Sequence, residues 1–455
     1  VKVRRCELGG WRARTTFVLA MAAAAVGLGN LWRFSYLLGS EGGAAFMLTY
    51  LGFLLLVAVP AMITEVVIGS HGRGSPLVAL RWTSDRSLLS RGWIGLGLLA
   101  CLAGVLVLSY LAVIAGWLLA YAWYMYSGVF SAASAVQVGA EMEAFLHDAA
   151  RPVFWQTSFL LVTGVVVALG VRRGIGILVW LVVPVLLFLL VFVARFSFEY
   201  GDVAAAGEFL FSVKLVDFTH ESVMLALGHA FFTLGVGVGA GISYGAYAPR
   251  RIPIGRSVLA VGVFDTLVAL LAGLAIYPLI FANNIEPAGG PALLFVSLPY
   301  AFGNMPLGDV IGALFFVAVA IAALGSAVAL LEPAVGAVIQ GLGIRRPYAA
   351  VVVVGVAWFL GMVLIRDLAA GQGLTGNGSG NLLELLDHVT AAVLLPLVSL
   401  LTALYAGWRL RPEILQALFG REAYTSFVAW RLLVRYVVPV ATGVILVVGL
   451  ATRGV

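Results

Sequence analysis

Long apolar runs separated by short polar stretches set the pattern of this chain. Runs long enough to cross a hydrocarbon core of about 30 Å fall at 13–37, 44–70, 92–127, 155–171, 175–196, 223–247, 254–283, 307–340, 347–366, 382–408 and 428–451. None alternates with a period of two, so the pattern predicts an all-α membrane bundle of 11 transmembrane helices rather than a barrel. The first run is too long to read as a removable signal peptide. Two runs are interrupted. AVGLGNLWRF at 25–34 and FFTLGVGVGAG at 231–241 carry clustered glycines near the middle of the first and sixth spans, with Asn30 and Thr233 alongside. An isolated glycine pair reads as close helix packing. Clusters at corresponding places in two five-helix halves point instead to an inverted repeat whose broken helices meet at the midplane. Where a helix unwinds in lipid, its freed carbonyls and amides must line a cavity or bind something. The carbonyls can hold a cation, and the amides with the positive half-helix ends can meet a carboxylate.

Composition agrees with a multi-pass membrane protein: 455 residues, 62% hydrophobic, 11% charged, mean hydropathy +1.07. With the amino terminus cytoplasmic, 21 of the 27 Lys and Arg fall on the inner side, among them Arg12, Arg73, Arg172, Arg250, Arg345 and Arg409. Acidic residues such as Glu141, Glu143, Asp202 and Glu208 gather in the two largest outer loops. The reading is a cell inner (plasma) membrane protein with its carboxyl terminus outside. The +6 charge follows from this positive-inside bias and implies no nucleic acid; the partners expected are a small-molecule substrate and the lipid bilayer. Cys6 and Cys101 imply no disulfide framework. Gly371, Gly373 and Gly376 spell GxGxxG inside the polar stretch GQGLTGNGSGN, with no strand before and no helix after, and read as a flexible loop. An enzyme is not indicated, since there is no HExxH, no paired intramembrane histidines and no serine nucleophile motif. A channel would show a repeated pore loop, which is absent.

Asp265 is conspicuous on physical grounds alone, because an aspartate inside SVLAVGVFDTLVALLAGLAIYPL is costly unless paired or functional. From Trp11 to about Leu450 the chain resembles the bacterial branch of the neurotransmitter:sodium symporter family, through GLGNLWRFSYLLGSEGGAAFM, VPAMITEVVIG, the AGW of span three, FFTLGVGVGA and LLEP in span eight. The resemblance implies a single transporter domain, with repeats at 13–196 and 223–408 and an extra helix at 428–451 where the family usually has two. It implies a sodium-coupled symporter importing an amino acid or related small zwitterion by alternating access. A first sodium site would use the Ala25 carbonyl, Asn30, Thr233 and Asp265; the last is usually asparagine, and its carboxylate supplies the charge that chloride supplies in many animal relatives, so Na+ is expected as co-substrate with no chloride requirement. A second would use the carbonyls of Ala23, Val26 and Ala322 with the Ser326 hydroxyl. Arg33 and Asp387 match the outer gate, and Trp11 the inner one.

The substrate box implied by the resemblance consists of Ala25, Leu28, Gly29, Val107, Leu111, Phe232, Gly235, Val238, Ser326 and Leu330. Departures from the family pattern sharpen the reading. Gly325 replaces a sodium-binding threonine. Leu8 and Gln340 replace both halves of the inner salt bridge. His229 replaces a glutamine near Tyr50 and reads as a neutral hydrogen-bonding side chain rather than a proton carrier. Leu111 stands where the family has a tyrosine that grips the substrate carboxylate, with Tyr110 expected to face elsewhere on a regular helix; an organic amine or other small solute is therefore the alternative cargo. Glu65 and Glu332 read as scaffold residues accepting hydrogen bonds from the broken helices.

Overall fold

The computed structural model describes residues 8–250, 252–287, 291–371, 381–418 and 424–451. Lys2, Arg4, Arg5, Cys6, Arg251, Gly373 and Gly376 lie outside these residues. In chain order, α1 (Arg14–Ala25) and α2 (Gly29–Ser40) divide the first apolar run and meet at 66°. Then come α3 (Ala44–Gly72), α4 (Pro76–Ser87), α5 (Arg91–Tyr126), α6 (Ala135–His147), α7 (Ala150–Ala168) and α8 (Val171–Tyr200). The sixth run is also divided, into α9 (His220–Thr233) and α10 (Ala240–Tyr247). The chain continues through α11 (Ile254–Ala282), α12 (Leu293–Gly303), α13 (Gly308–Leu342), α14 (Arg346–Ala370), α15 (Leu382–Arg409) and α16 (Tyr424–Ala451).

Among the described residues, nine of these helices are long and apolar enough to cross a membrane unaided, and α1–α2 make a tenth if the bent pair is one span. The remaining expected span, at 223–247, is not one helix, because residues 234–239 separate its halves. The number of spans thus rests on how the two divided runs are counted. Burial sorts the helices: 78% of the most apolar window of α5 and 72% of that of α13 are enclosed by protein, against 22% for α16. α5 and α13 pack along each other at the centre. Exposed apolar side chains such as Leu161, Phe188 and Val351 leave the rim suited to lipid.

The two breaks are built differently. α1 ends because Val26 turns to an extended conformation (φ −69°, ψ 110°), and the chain re-enters a helix at Gly29 through a wide π-helical turn, Gly29–Arg33. The second break needs three left-handed residues, Gly235, Gly237 and Gly239, with φ of 64°, 97° and 73°. L side chains adopt this region only at a cost of roughly 1–2 kcal/mol per residue, which is why glycine fills it. The freed amide of Gly237 is met by Glu65 Oε1 at 2.7 Å, and Tyr247, at the far end of the same divided run, donates to Glu332. Both glutamates therefore accept hydrogen bonds from the sixth run, as the sequence suggests.

α10 lies so close to α3 that a Cβ on Gly245 would strike the backbone carbonyl of Val66. Gly245→Val should therefore lower the thermal midpoint of the purified protein in detergent, at the overpacking cost of about 1–3 kcal/mol; an unchanged midpoint would show that the two helices separate freely.

Candidate functional site

Asn30, Thr233 and Asp265 come from three elements, α2, α9 and α11, and meet at the two breaks. All three are buried, Asp265 completely. Asn30 Nδ2 donates to Asp265 Oδ1 at 2.7 Å, and Thr233 Oγ1 donates to Asp265 Oδ2 at 2.7 Å. Asn30 Oδ1 accepts the amide of Gly27 at 3.1 Å, which ties the cluster to the unwound segment. Among the described residues, no basic side chain forms an ion pair with Asp265. A buried carboxylate needs more than two neutral donors to offset its desolvation. Carboxylate, amide and hydroxyl oxygens beside a freed helix end form a hard donor set suited to a small cation.

The second predicted set is gathered at the contact of α1 with α13. Ser326 Oγ lies 3.1 Å from the Ala24 carbonyl and 3.3 Å from that of Val26, and Ala322 is one turn away on the same helix. At Gly325 the helices touch so closely that a Cβ would meet the Ala23 carbonyl. A threonine there would require α1 to move outward, so glycine is what permits this close approach.

A cavity of about 700 Å³ adjoins the first cluster and is lined largely by apolar surface. It takes in every member of the predicted box: Ala25, Leu28, Gly29, Val107, Leu111, Phe232, Gly235, Val238, Ser326 and Leu330. A Cβ on Gly235 would meet nothing within 4 Å, so this wall is open. One expectation is corrected. Tyr110 does not face away: Val107, Tyr110, Leu111 and Ile114 all line the cavity, a stripe of i, i+3, i+4 and i+7 positions on α5. That spacing was the available signal for Tyr110 and Ile114. Met142, Glu143, Pro291 and Phe295 also line the cavity from α6, α12 and the chain before it, and nothing in their local sequence marks them.

His229 stacks on Phe34 at 5.4 Å and lies 5.7 Å from Tyr50. Neither ring nitrogen has a hydrogen-bond partner, so the expected hydrogen-bonding histidine is here an aromatic packing residue. Arg33 and Asp387 both line the cavity, without an ion pair between them among those formed by the described residues. Glu143 and Glu384 lie in the same lining, so this end of the molecule is acidic.

The arginine-rich end is sealed. Trp11 is buried, its indole donating to the Val171 carbonyl at 3.1 Å and its ring edge-on to Tyr244 and Tyr247. Gln340, in place of the lost aspartate, accepts the Ser75 amide at 2.8 Å. The ion pair here is Arg346 with the buried Glu332. Arg346 also donates to the carbonyls of Val167 at 2.8 Å and Leu8 at 3.5 Å. One side chain thereby joins the amino-terminal segment, α7 and α13.

The chain is similar to known proteins. The model of the sodium:neurotransmitter symporter family matches residues 9–143 and 135–453. YhdH of Bacillus subtilis, an uncharacterized sodium-dependent transporter, is 32% identical over 441 residues, 95% of each chain. An uncharacterized sodium-dependent transporter of Haemophilus influenzae is 27% identical over 449 residues, 96% of this chain and 97% of the other. The crystal structure of MhsT in complex with L-phenylalanine superposes with a TM-score of 0.87 at 33% identity, covering 97% of this chain and 99% of that one. With two broken helices facing a buried carboxylate and an apolar cavity, in a fold shared end to end with these transporters, the chain belongs to the sodium:neurotransmitter symporter family.

Proposed function

We propose that this protein is a sodium-coupled symporter that imports an amino acid or related zwitterion with a large apolar side chain, by alternating access about the two helix breaks. The observation that carries the reading is the Asn30–Thr233–Asp265 cluster beside the 700 Å³ apolar cavity. Sodium would sit against Asp265, Asn30, Thr233 and the Ala25 carbonyl, where its charge offsets the buried carboxylate. A substrate carboxylate would rest on that ion and on the amides near Gly29. The apolar side chain would occupy the space beside Gly235 and Val238, and MhsT, of similar fold, holds L-phenylalanine. A weaker second ion would use Ala23, Val26, Ala322 and Ser326.

In this reading each divided run is one span, giving eleven, with repeats at 13–196 and 223–408 and the extra helix at 428–451. The arginine-rich end faces the cytoplasm and the acidic end the outside. Arg33 and Asp387 then close over the substrate, while Trp11 with Arg346 and Glu332 seals the inner side. An organic amine is the second reading, favoured by Leu111, which offers a carboxylate no hydroxyl.

Uptake of labelled L-phenylalanine into proteoliposomes should require a sodium gradient and continue undiminished with gluconate in place of chloride. Asp265→Asn should raise the sodium concentration for half-maximal uptake by about tenfold, the loss of roughly 1.4 kcal/mol of ion binding, or create a chloride requirement. Full uptake with potassium as the only cation would overturn the coupling.

For recognition, glycine and alanine should bind weakly to the native protein, because one hydrogen bond to a charged group, of order 1.5–3 kcal/mol, is missing at Leu111. Leu111→Tyr should tighten binding of α-amino acids by roughly ten- to a hundredfold in equilibrium binding. Tight binding of glycine by the unmodified protein would show that the substitution is without consequence.

A further inference from the structure

A second cavity, of about 430 Å³, lies apart from the first, where the start of α5 meets the last turns of α15. Its walls are apolar: Trp93, Leu96 and Leu99 come from α5, and Leu401 from α15. Gly92 and Gly95, three positions apart, keep it open. A Cβ on Gly95 would meet nothing within 4 Å, and one on Gly92 only the Ser90 hydroxyl at 3.5 Å. Ser90, Gly92 and Gly95 are exposed, so the cavity is a groove on the surface of the bundle and not an internal void. Exposed Leu98 and Leu102 continue the same helix toward the membrane interior. From Arg91 to Leu99 α5 rises about 12 Å, close to the depth of one leaflet of hydrocarbon, about 15 Å.

The two helices run antiparallel here, and the rings of Trp93 and Tyr405, 5.0 Å apart, set their register. Counting from that contact, Leu401 falls beside the segment Leu96–Leu99, and Arg409 falls at the level of Arg91. Both arginines are exposed. Arg91 lies 3.5 Å from Asp85, a carboxylate that Arg81 also approaches at 3.9 Å; exposed pairs of this kind contribute little. Arg409 has no ion pair among the described residues. Next to it, Arg435 of α16 covers the Trp408 ring at 4.2 Å, likewise with no acidic partner among the described residues. Arg411 and Glu413 follow in the connection to α16 and offset each other in charge. The mouth of an apolar groove is thus left with a surplus of positive charge.

We infer that this groove is a binding site for an anionic phospholipid, with one acyl chain lying along Leu96, Leu99 and Leu401 over Gly95 and the phosphate meeting Arg91 and Arg409. Lipid tails are as apolar as leucine, so the groove supplies shape and no preference among lipids. Preference comes from the guanidinium groups, whose planar donors match phosphate and whose charge draws an anionic headgroup to the membrane surface at this end. The inference is independent of the transport reading, because lipid binding is measured without any cargo.

Trp93, in the wall of the groove, supplies the reporter. Delipidated protein in detergent is titrated with phospholipids carrying brominated acyl chains, which quench nearby tryptophan. The Trp93 signal is the difference between each protein and its own Trp93→Phe counterpart. Brominated phosphatidylglycerol should half-quench Trp93 at about one tenth the concentration of brominated phosphatidylcholine, since each arginine near the surface favours an anionic headgroup by about fivefold. Arg409→Gln should narrow that ratio by about fivefold and leave phosphatidylcholine unaffected. Gly95→Leu, which fills the groove from a helical position with open space around it, should remove the preference for phosphatidylglycerol without lowering the thermal midpoint in lipid-free detergent. Excess glycerol phosphate should not displace the lipid. Equal half-quenching by the two lipids, or a preference that survives both Arg409→Gln and Gly95→Leu, would overturn the proposal. Displacement by glycerol phosphate would overturn it too, by assigning the arginines to a soluble anion.

Discussion

A carboxyl group on a side chain with no accessible surface, Asp265, is the constraint around which this molecule is arranged. Asp265 is held by two neutral donors, one from each divided run, so its orientation is fixed, and among the described residues it has no ion-pair partner. Hydrocarbon makes such a group costly. It also makes every unwound backbone group costly, and the two costs are placed at the same point. In the proposed function a cation there would offset the carboxylate and the freed carbonyls together, which would make the broken helices and the buried acid parts of one arrangement.

Much of this was legible in the sequence because lipid imposes simple rules. Apolar length sets helix ends, so the runs at 44–70, 92–127 and 307–340 became Ala44–Gly72, Arg91–Tyr126 and Gly308–Leu342. Asp265 and the glycine clusters stood out because each breaks a rule that the surrounding residues keep. What was not legible depends on tertiary approach. Arg346 looks like any basic residue of a loop, yet it finds the buried Glu332 fourteen positions earlier in the chain. Tyr110 shares the cavity with Leu111 because the lining face of α5 is wide enough to take four residues of one stripe, which a single pair of neighbouring positions does not reveal. The lining from α6 and α12 has no signal of its own, since those helices owe their position to contacts with Trp117 and Tyr121, as at Phe295, and not to the bilayer.

The two ends of the molecule are unlike in kind. At the arginine-rich end, a buried ion pair, an indole wedge and backbone carbonyls interlock, and removing one partner leaves the other charged and unpaired, a loss of about 3–5 kcal/mol for a buried pair. At the acidic end, the charged residues line an open cavity and are separated by space. One end is thus held by desolvated contacts already made, whereas under the proposed function closure of the other would depend on contacts still to be formed.

The three left-handed glycines of the second break have a bearing on how such a protein can diversify. Gly235 faces empty space, so sterics alone would admit a side chain there; its backbone conformation is what makes one costly. Cavity volume on that wall is thereby protected against gradual filling, because any larger residue would carry the strain of the left-handed turn. Variation in cargo is left to the regular helices opposite, α5 and α13, where a substitution such as that at 111 changes the lining and leaves the backbone in place. The break is a fixed die, and the selectivity of its descendants is written on the walls that face it.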